Sequence, residues 1–277
     1  MAPGLPDKPD PSGLLGPRGG EPIVGLTAYT APMAARIDRH VDFILVGDSV
    51  AMVLYGMSTT RTIDIDTMIR HGRAVAQAAA NTLVVIDMPF GTYEHNRDVA
   101  LSNARRMLAE TGCDAVKMEG GDSLAGTVEA AVADGIPVMG HVGLMPQQAR
   151  SVAQMRSRGH SDTTRRRILK DARAIAQAGA FAIVVEGVVE SVARDITQAS
   201  TVPIIGIGAS VACDGQILVT EDMTGMFDTF TPKFVKRYAE VGKIVEEAVM
   251  AYASDVRSRR FPGPEHTFAK RRKRAAR

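Results

Sequence analysis

Tryptophan is absent from this chain, and aromatic residues make up only 5% of it. That scarcity argues against a platform for stacking single-stranded bases. There are two cysteines, Cys113 and Cys213, far apart and in no zinc or redox spacing. They exclude a disulfide scaffold and suit a reducing compartment. The apolar runs break within about ten residues, half of what a membrane-spanning helix needs, so no membrane partner is expected. No basic stretch followed by an apolar one opens the chain, so no standard secretion signal is expected and a cytoplasmic location is. A phosphate-binding Gly-x-x-x-x-Gly-Lys-Ser/Thr loop is also missing, as are the Gly-x-Ser-x-Gly elbow and His-Glu-x-x-His. The run Gly206-Ile-Gly208-Ala-Ser-Val fails the dinucleotide fingerprint at its last glycine.

The 277 residues are 45% hydrophobic and 23% charged, enough apolar material for a full core. The last eight residues carry six of the positive charges, and without them the net charge of +2 becomes −4. A basic tail on a mildly acidic body is not a nucleic-acid footprint. Residues 1–21 are rich in Pro and Gly and read as a disordered arm, and 269–277 as a disordered basic tail. Between them, 22–268, short β-rich runs alternate with Ala/Arg-rich helical stretches. The runs are Ile23–Leu26, Phe43–Asp48, Thr82–Asp87, Ala115–Glu119, Pro137–Gly143, Ala182–Glu186, Pro203–Ala209 and Ile217–Thr220. Helices are predicted at Thr67–Ala80, Asp98–Glu110, Ser123–Ala133, Thr164–Ala178 and Val189–Ala199, with a long final one over Pro232–Val256. Eight strands separated by helices, apolar on both faces, predict a single-domain α/β protein, a (β/α)8 TIM barrel. A doubly wound open sheet is the alternative.

The strands end in polar residues. Phe43–Asp48 and Leu83–Asp87 end in carboxylates, Val138–His141 in a histidine and Ile183–Glu186 in a glutamate. Lys117 and Glu119 lie two apart, hence on one strand face. A barrel brings the carboxyl ends of its strands to one mouth, so Asp48, Asp87, Lys117, Glu119, His141 and Glu186 should converge there. Clustered carboxylates repel unless a cation is present, and an oxygen-rich set without Cys favours Mg2+. A 2-oxo acid could chelate such an ion, which would stabilise an enolate and points to proton abstraction beside a carbonyl. Plainer readings stay open residue by residue. A strand-end Asp often anchors a loop, Ser49 can cap the following helix, Lys117 and Glu119 can form a structural ion pair, and His141 can be a packing residue.

The segments Leu26-Thr-Ala-Tyr29, Val46-Gly-Asp-Ser49, Asp87-Met-Pro-Phe90, Val116-Lys-Met-Glu-Gly-Gly121, Gly140-His-Val-Gly-Leu144 with Pro146-Gln147, Val185-Glu186, Ile205-Gly-Ile-Gly-Ala209, Asp214–Val219 and Pro232-Lys-Phe234, with the ending Phe261–His266, occur in one order over nearly the whole chain. In these the chain resembles the ketopantoate hydroxymethyltransferase family. The resemblance implies a (β/α)8 barrel using Mg2+ and the co-substrate 5,10-methylenetetrahydrofolate in pantothenate biosynthesis, and a homo-oligomer. It implies that Asp48 and Asp87 hold the metal and that Glu119 completes the site, directly or through water. Asp48, Ser49, Asp87 and Lys117 would contact the 2-oxo acid, 3-methyl-2-oxobutanoate. Glu186 would be the base removing its C3 proton, giving 2-dehydropantoate after one-carbon transfer, with His141 in a supporting hydrogen bond.

The chain also departs from the family pattern. Thr30 stands where an Asp is usual, Val50-Ala51 where Leu-Gly is, Thr60-Arg61 where Leu-Pro is, and Ser210 where a glycine is. The loop after Pro146-Gln147 reads Ala153-Gln154-Met155-Arg156-Ser157-Arg158-Gly159 in place of a Gly-Gly-aromatic run. These changes bear on substrate and one-carbon donor more than on the chemistry. The competing readings are a related Mg2+-dependent barrel lyase or hydrolase acting on another 2-oxo acid, and a non-catalytic scaffold using the tail.

Overall fold

The computed structural model describes residues 20–149, 154–227 and 231–268. Eight parallel strands close into a barrel in sequence order, β1 (Ile23–Thr27), β2 (Phe43–Val46), β3 (Leu83–Asp87), β4 (Ala115–Glu119), β5 (Val138–Gly143), β6 (Ala182–Glu186), β7 (Ile204–Ile207) and β8 (Gly215–Leu218). The predicted (β/α)8 barrel is therefore the fold. Helices α1 (Ala31–Ile37), α2 (Val50–Val53), α3 (Ile65–Ala78), α4 (Arg97–Thr111), α5 (Ala125–Ala133), α6 (Asp162–Gln177) and α7 (Glu190–Ala199) fill the connections. No described helix is long and apolar enough to cross a membrane.

Strand parity builds two cores. Phe43, Leu45, Leu83, Val85, Ala115, Met139, Ala182, Val184 and Ile205 fill the barrel interior. Ile44, Val46, Val84, Ile86, Val116, Val138, Ile183 and Val185 alternate with them and pack under the helices. Gly140 shows how closely a helix lies on the sheet: a Cβ there would sit 2.3 Å from Ile175 of α6.

Local chemistry fixes the helix ends. Asp64 and Asn96 accept from the amides of Thr67 and Val99, Ser161 and Thr164 form a reciprocal capping box, and Gly112 closes α4 in the left-handed region. Helix α1 lies outside the expected set. It is short, with Pro32 in its first turn, and is capped by Thr30, whose hydroxyl accepts from Met33 N. A threonine thus fills the capping role that an aspartate could also play.

At the amino ends of the strands, aspartates bind backbone. Asp42 accepts from Val24 N at 2.7 Å, Asp114 from Val84 N at 2.8 Å and Asp214 from Ile204 N at 2.8 Å. Each precedes an even-numbered strand and ties it to the strand before.

Strand β8 starts at Gly215 and stops at Leu218, short of the predicted Thr220. Thr220 instead bonds Thr27 through its amide and hydroxyl and opens the short helix α8 (Thr220–Thr224). The chain divides into two compact units, one of residues 1–220 with 232–235 and one of 221–231 with 236–277, so the expected 22–268 span runs across both. In the first, the Phe234 ring lies over Gly208, where a Cβ would be 2.6 Å away. In the second, Tyr238 N bonds Met223 O and the long helix α9 (Val241–Arg257) begins nine residues later than predicted. Of the arm, residues 1–19 lie outside the described residues, as does the tail 269–277.

Candidate active site

The interior parity of the strands continues into their last residues. Asp87 follows Val85, Lys117 and Glu119 follow Ala115, His141 follows Met139, and Glu186 follows Val184, each by steps of two. Each therefore turns inward where the apolar filling ends. Register brings them side by side: Asp87 pairs with Lys117 and Glu119 with His141 across neighbouring strands. Asp48 and Ser49 enter from the turn after β2, where Asp48 N donates to Asp87 Oδ2 at 3.0 Å. All seven residues singled out in the sequence meet at this mouth.

Lys117 Nζ lies 2.6 Å from Asp87 Oδ1, both nearly sealed from solvent. The contact is a buried ion pair, so each charge is held by the other. Burial alone would pull the ammonium down, but the charges of Asp87, Glu119 and Asp48 outweigh it and hold Lys117 above its ordinary value. Asp48 is pushed well above the carboxylate range, first by burial and then by the charges of Asp87 and Glu119. Burial likewise raises Glu119 to about 7.

His141 is the hinge of the cluster. Lys117 Nζ donates to its Nδ1 at 3.2 Å, while its Nε2 is 2.9 Å from Leu144 O and 3.4 Å from Glu186 Oε2. A carbonyl only accepts and an ammonium only donates, so the ring is the Nε2–H tautomer. Burial, then the Lys117 charge, lowers its pKa to about 3, which keeps the ring neutral. Leu144 O reaches it because Gly143 turns the chain at φ +98°, where a Cβ would meet Glu186 O at 2.5 Å. Glu186 keeps 15% of its side chain open to solvent, against 3% for His141. Burial, then the Glu119 charge, raises it to about 8.

Ser49 starts α2 without capping it. Its hydroxyl lies 2.8 Å from Tyr29 OH instead, and His71 Nδ1 lies 2.6 Å from Tyr29 O. Three further residues of the mouth were not singled out. Gln147 carries no charge and Tyr93 sits in a loop; the Pro146-Gln147 motif touched the first, nothing pointed at the second, and Arg61 appeared only in the Thr60-Arg61 departure. Gln147 and Tyr93 are buried, and Arg61 stacks on the Phe90 ring at 3.5 Å.

Asp48 and Asp87 fit a hard divalent cation. Their mutual repulsion is what a cation would relieve, and Mg2+, which keeps several waters, needs only one or two protein carboxylates. Among the described residues no three acidic, histidine or cysteine groups converge as a closed cage. Glu119 Oε2 already accepts from Gln147 N at 3.1 Å, and its Oε1 lies 3.4 Å from His141, so Glu119 fits the water-mediated role rather than direct ligation.

A closed parallel barrel with a buried lysine, a neutral histidine and four carboxylates at the carboxyl ends of its strands is a (β/α)8-barrel enzyme with its chemistry at that mouth. The chain belongs to the ketopantoate hydroxymethyltransferase family, whose model matches residues 17–264, and it is a transferase. It is 57% identical to the 3-methyl-2-oxobutanoate hydroxymethyltransferase of Rhizobium etli, over 92% of this chain and 93% of that one. It is 56% identical to that of Rhodospirillum centenum, over the same shares. Among solved structures, phosphonopyruvate hydrolase in complex with oxalate and Mg2+ shares the fold, with a TM-score of 0.57 at 13% identity over 88% of each chain.

Proposed function

We propose that this chain transfers a hydroxymethyl group from 5,10-methylenetetrahydrofolate to 3-methyl-2-oxobutanoate, giving 2-dehydropantoate for pantothenate biosynthesis. The observation that carries the reading is Glu186, a partly open carboxylate with its pKa raised to about 8, held beside neutral His141 and the Lys117–Asp87 pair. The names of the relatives and the hydrolase's Mg2+ support it. Mg2+ held by Asp48 and Asp87 would supply Lewis-acid stabilisation of charge on the keto oxygen of the substrate.

The residues do the rest. Lys117, kept charged, binds the carboxylate or developing enolate of the 2-oxo acid, with Ser49 held beside it by Tyr29. Glu186 takes the C3 proton. Its raised pKa suits this, since a base works best near the ambient pH. His141 donates from Nε2 towards Glu186 and Leu144 O, which orients the carboxylate without itself ionising. The C3 carbanion bonds to the methylene carbon of the folate, both C–N bonds from that carbon to the folate break, water supplies the hydroxyl, and the two folate nitrogens take up the proton from C3 and the remaining proton of the water. The chain works as a homo-oligomer in the cytoplasm on these small molecules, with neither nucleic acid nor membrane as partner.

The test is deuterium exchange at C3 of 3-methyl-2-oxobutanoate in deuterated water with Mg2+, with and without tetrahydrofolate. Exchange that needs Mg2+ and is lost in Asp87→Asn supports the reading. Exchange that survives Asp87→Asn with a chelator present overturns the metal role, and absence of any exchange overturns the substrate.

A further inference from the structure

Gln147 sits in the loop after β5, yet it reaches elements after three other strands. Its Nε2 donates to Asp48 Oδ2 at 3.0 Å and to Met88 O at 2.9 Å. The Met88 carbonyl only accepts, which settles the amide's orientation, and the two bonds use both of its hydrogens. Tyr93 OH donates to Gln147 Oε1 at 2.6 Å and itself accepts from Glu119 N at 3.0 Å. Gln147 N holds Glu119 Oε2, and Arg61 Nη1 pins Gln147 O at 2.5 Å. Gln147 is 2% exposed. Every polar atom of this residue is therefore committed, and two of the bonds run to carboxylates of the site.

We propose that Gln147 is a positioning residue for the cation site: its side-chain amide turns the Asp48 carboxylate and its backbone amide holds Glu119, with Tyr93 fixing the amide and Arg61 fixing the loop. This rests on the reading that Asp48 and Asp87 hold a divalent ion. Without the amide, the Asp48 carboxylate loses the hydrogen bond that fixes its Oδ2 and is free to rotate, while its backbone stays tied to Asp87. Groups that orient metal ligands in this way are typically worth 10- to 100-fold in metal affinity. Arg61 thus supplies a charged donor to the backbone of the very residue that orients Asp48.

The experiment is Mn2+ binding to the full-length protein, followed by electron paramagnetic resonance of the free ion, for wild type, Asp87→Asn, Gln147→Met and Tyr93→Phe. Met matches Gln in length and removes the donors. The expected result is loss of binding in Asp87→Asn, affinity 10- to 100-fold weaker in Gln147→Met, and several-fold weaker in Tyr93→Phe, which removes only the group that orients the amide. Exchange at C3 assayed at saturating Mn2+ should recover in Gln147→Met, since the metal then drives Asp48 into place; a merely structural role would not produce that recovery. Wild-type affinity in Gln147→Met, with Asp87→Asn failing to bind, overturns the positioning role alone. Absence of binding in wild type overturns the metal reading and this inference together. Should Gln147→Met fail to fold, Tyr93→Phe decides: unchanged affinity in it overturns the inference.

Discussion

Glu186 combines two properties that pull in opposite directions: it must ionise to act as a base, and its surroundings oppose ionisation. Its pKa of about 8 lies above the ordinary value of 4.5, so between those two pH values the folded chain holds a proton that the unfolded chain has released. Folding stability therefore falls as pH rises through that window. Glu186→Gln removes the cost, so in chelator its melting temperature should exceed wild type at pH 8.5–9 and match it near pH 4.5, as thermal unfolding at a series of pH values would show. C3 exchange should fall by about 10²- to 10⁴-fold in the same variant, the usual worth of a placed base. In wild type the exchange rate should rise with pH through about 8 and then level off. Near-normal exchange in a folded Glu186→Gln protein would transfer the base role to another group. Six of the seven mouth residues were readable because a titratable group at the end of an apolar run is conspicuous, and Ser49 came with the resemblance. Gln147 and Tyr93 were not, because a neutral amide and a phenol in loops look the same in sequence whether they face water or a carboxylate.

Among the elements, the strands divide their aspartates by end. Asp42, Asp114 and Asp214 stand before strands and accept from an amide of the neighbouring strand, while Asp48 follows β2 and bonds through its amide to Asp87, the last residue of β3. Sequence treats the two sets alike; only direction along the strand separates them. Asp114→Ala leaves Val84 N without that acceptor and should cost about 1–3 kcal/mol of stability, by urea titration, with exchange per folded molecule unchanged. A loss of exchange beyond the loss of folded protein would show that the two ends of the barrel are not independent. The strands themselves were legible to within two residues over most of their length, because β-branched runs between helical stretches have no other reading. Helix α9 began late because Pro232–Val235 belongs with the barrel unit, where Phe234 seats on Gly208, a contact that periodicity does not register.

At the scale of the whole molecule, α9 has no buried residue. Val245, Val249, Tyr252 and Val256 recur at helical spacing and are 42–58% exposed, an apolar stripe that suits a second copy of the chain. In the homo-oligomer proposed above, charge on that stripe, as in Val245→Glu with Val249→Glu, should lower the mass seen by light scattering while each protomer keeps its circular dichroism. An unchanged mass would remove α9 from the interface. Deletion of Lys270–Arg277 should leave turnover as it is, because the family model ends at residue 264 and every residue of the mouth lies before it.

Because every mouth residue on β3 to β6 owes its direction to counting in twos, these strands tolerate exchange of letters but not a change in their number. One residue inserted between Ala115 and Val116 would turn Val116 and Met118 into the mouth and send the lysine and Glu119 under the helices. Descent in this family is thereby confined to two separate channels: strands evolve by replacement at fixed length, while gain and loss of residues is pushed into segments such as 150–160. An alignment of the lineage should show its gaps there and none between Leu83 and Asp87 or between Ala115 and Glu119.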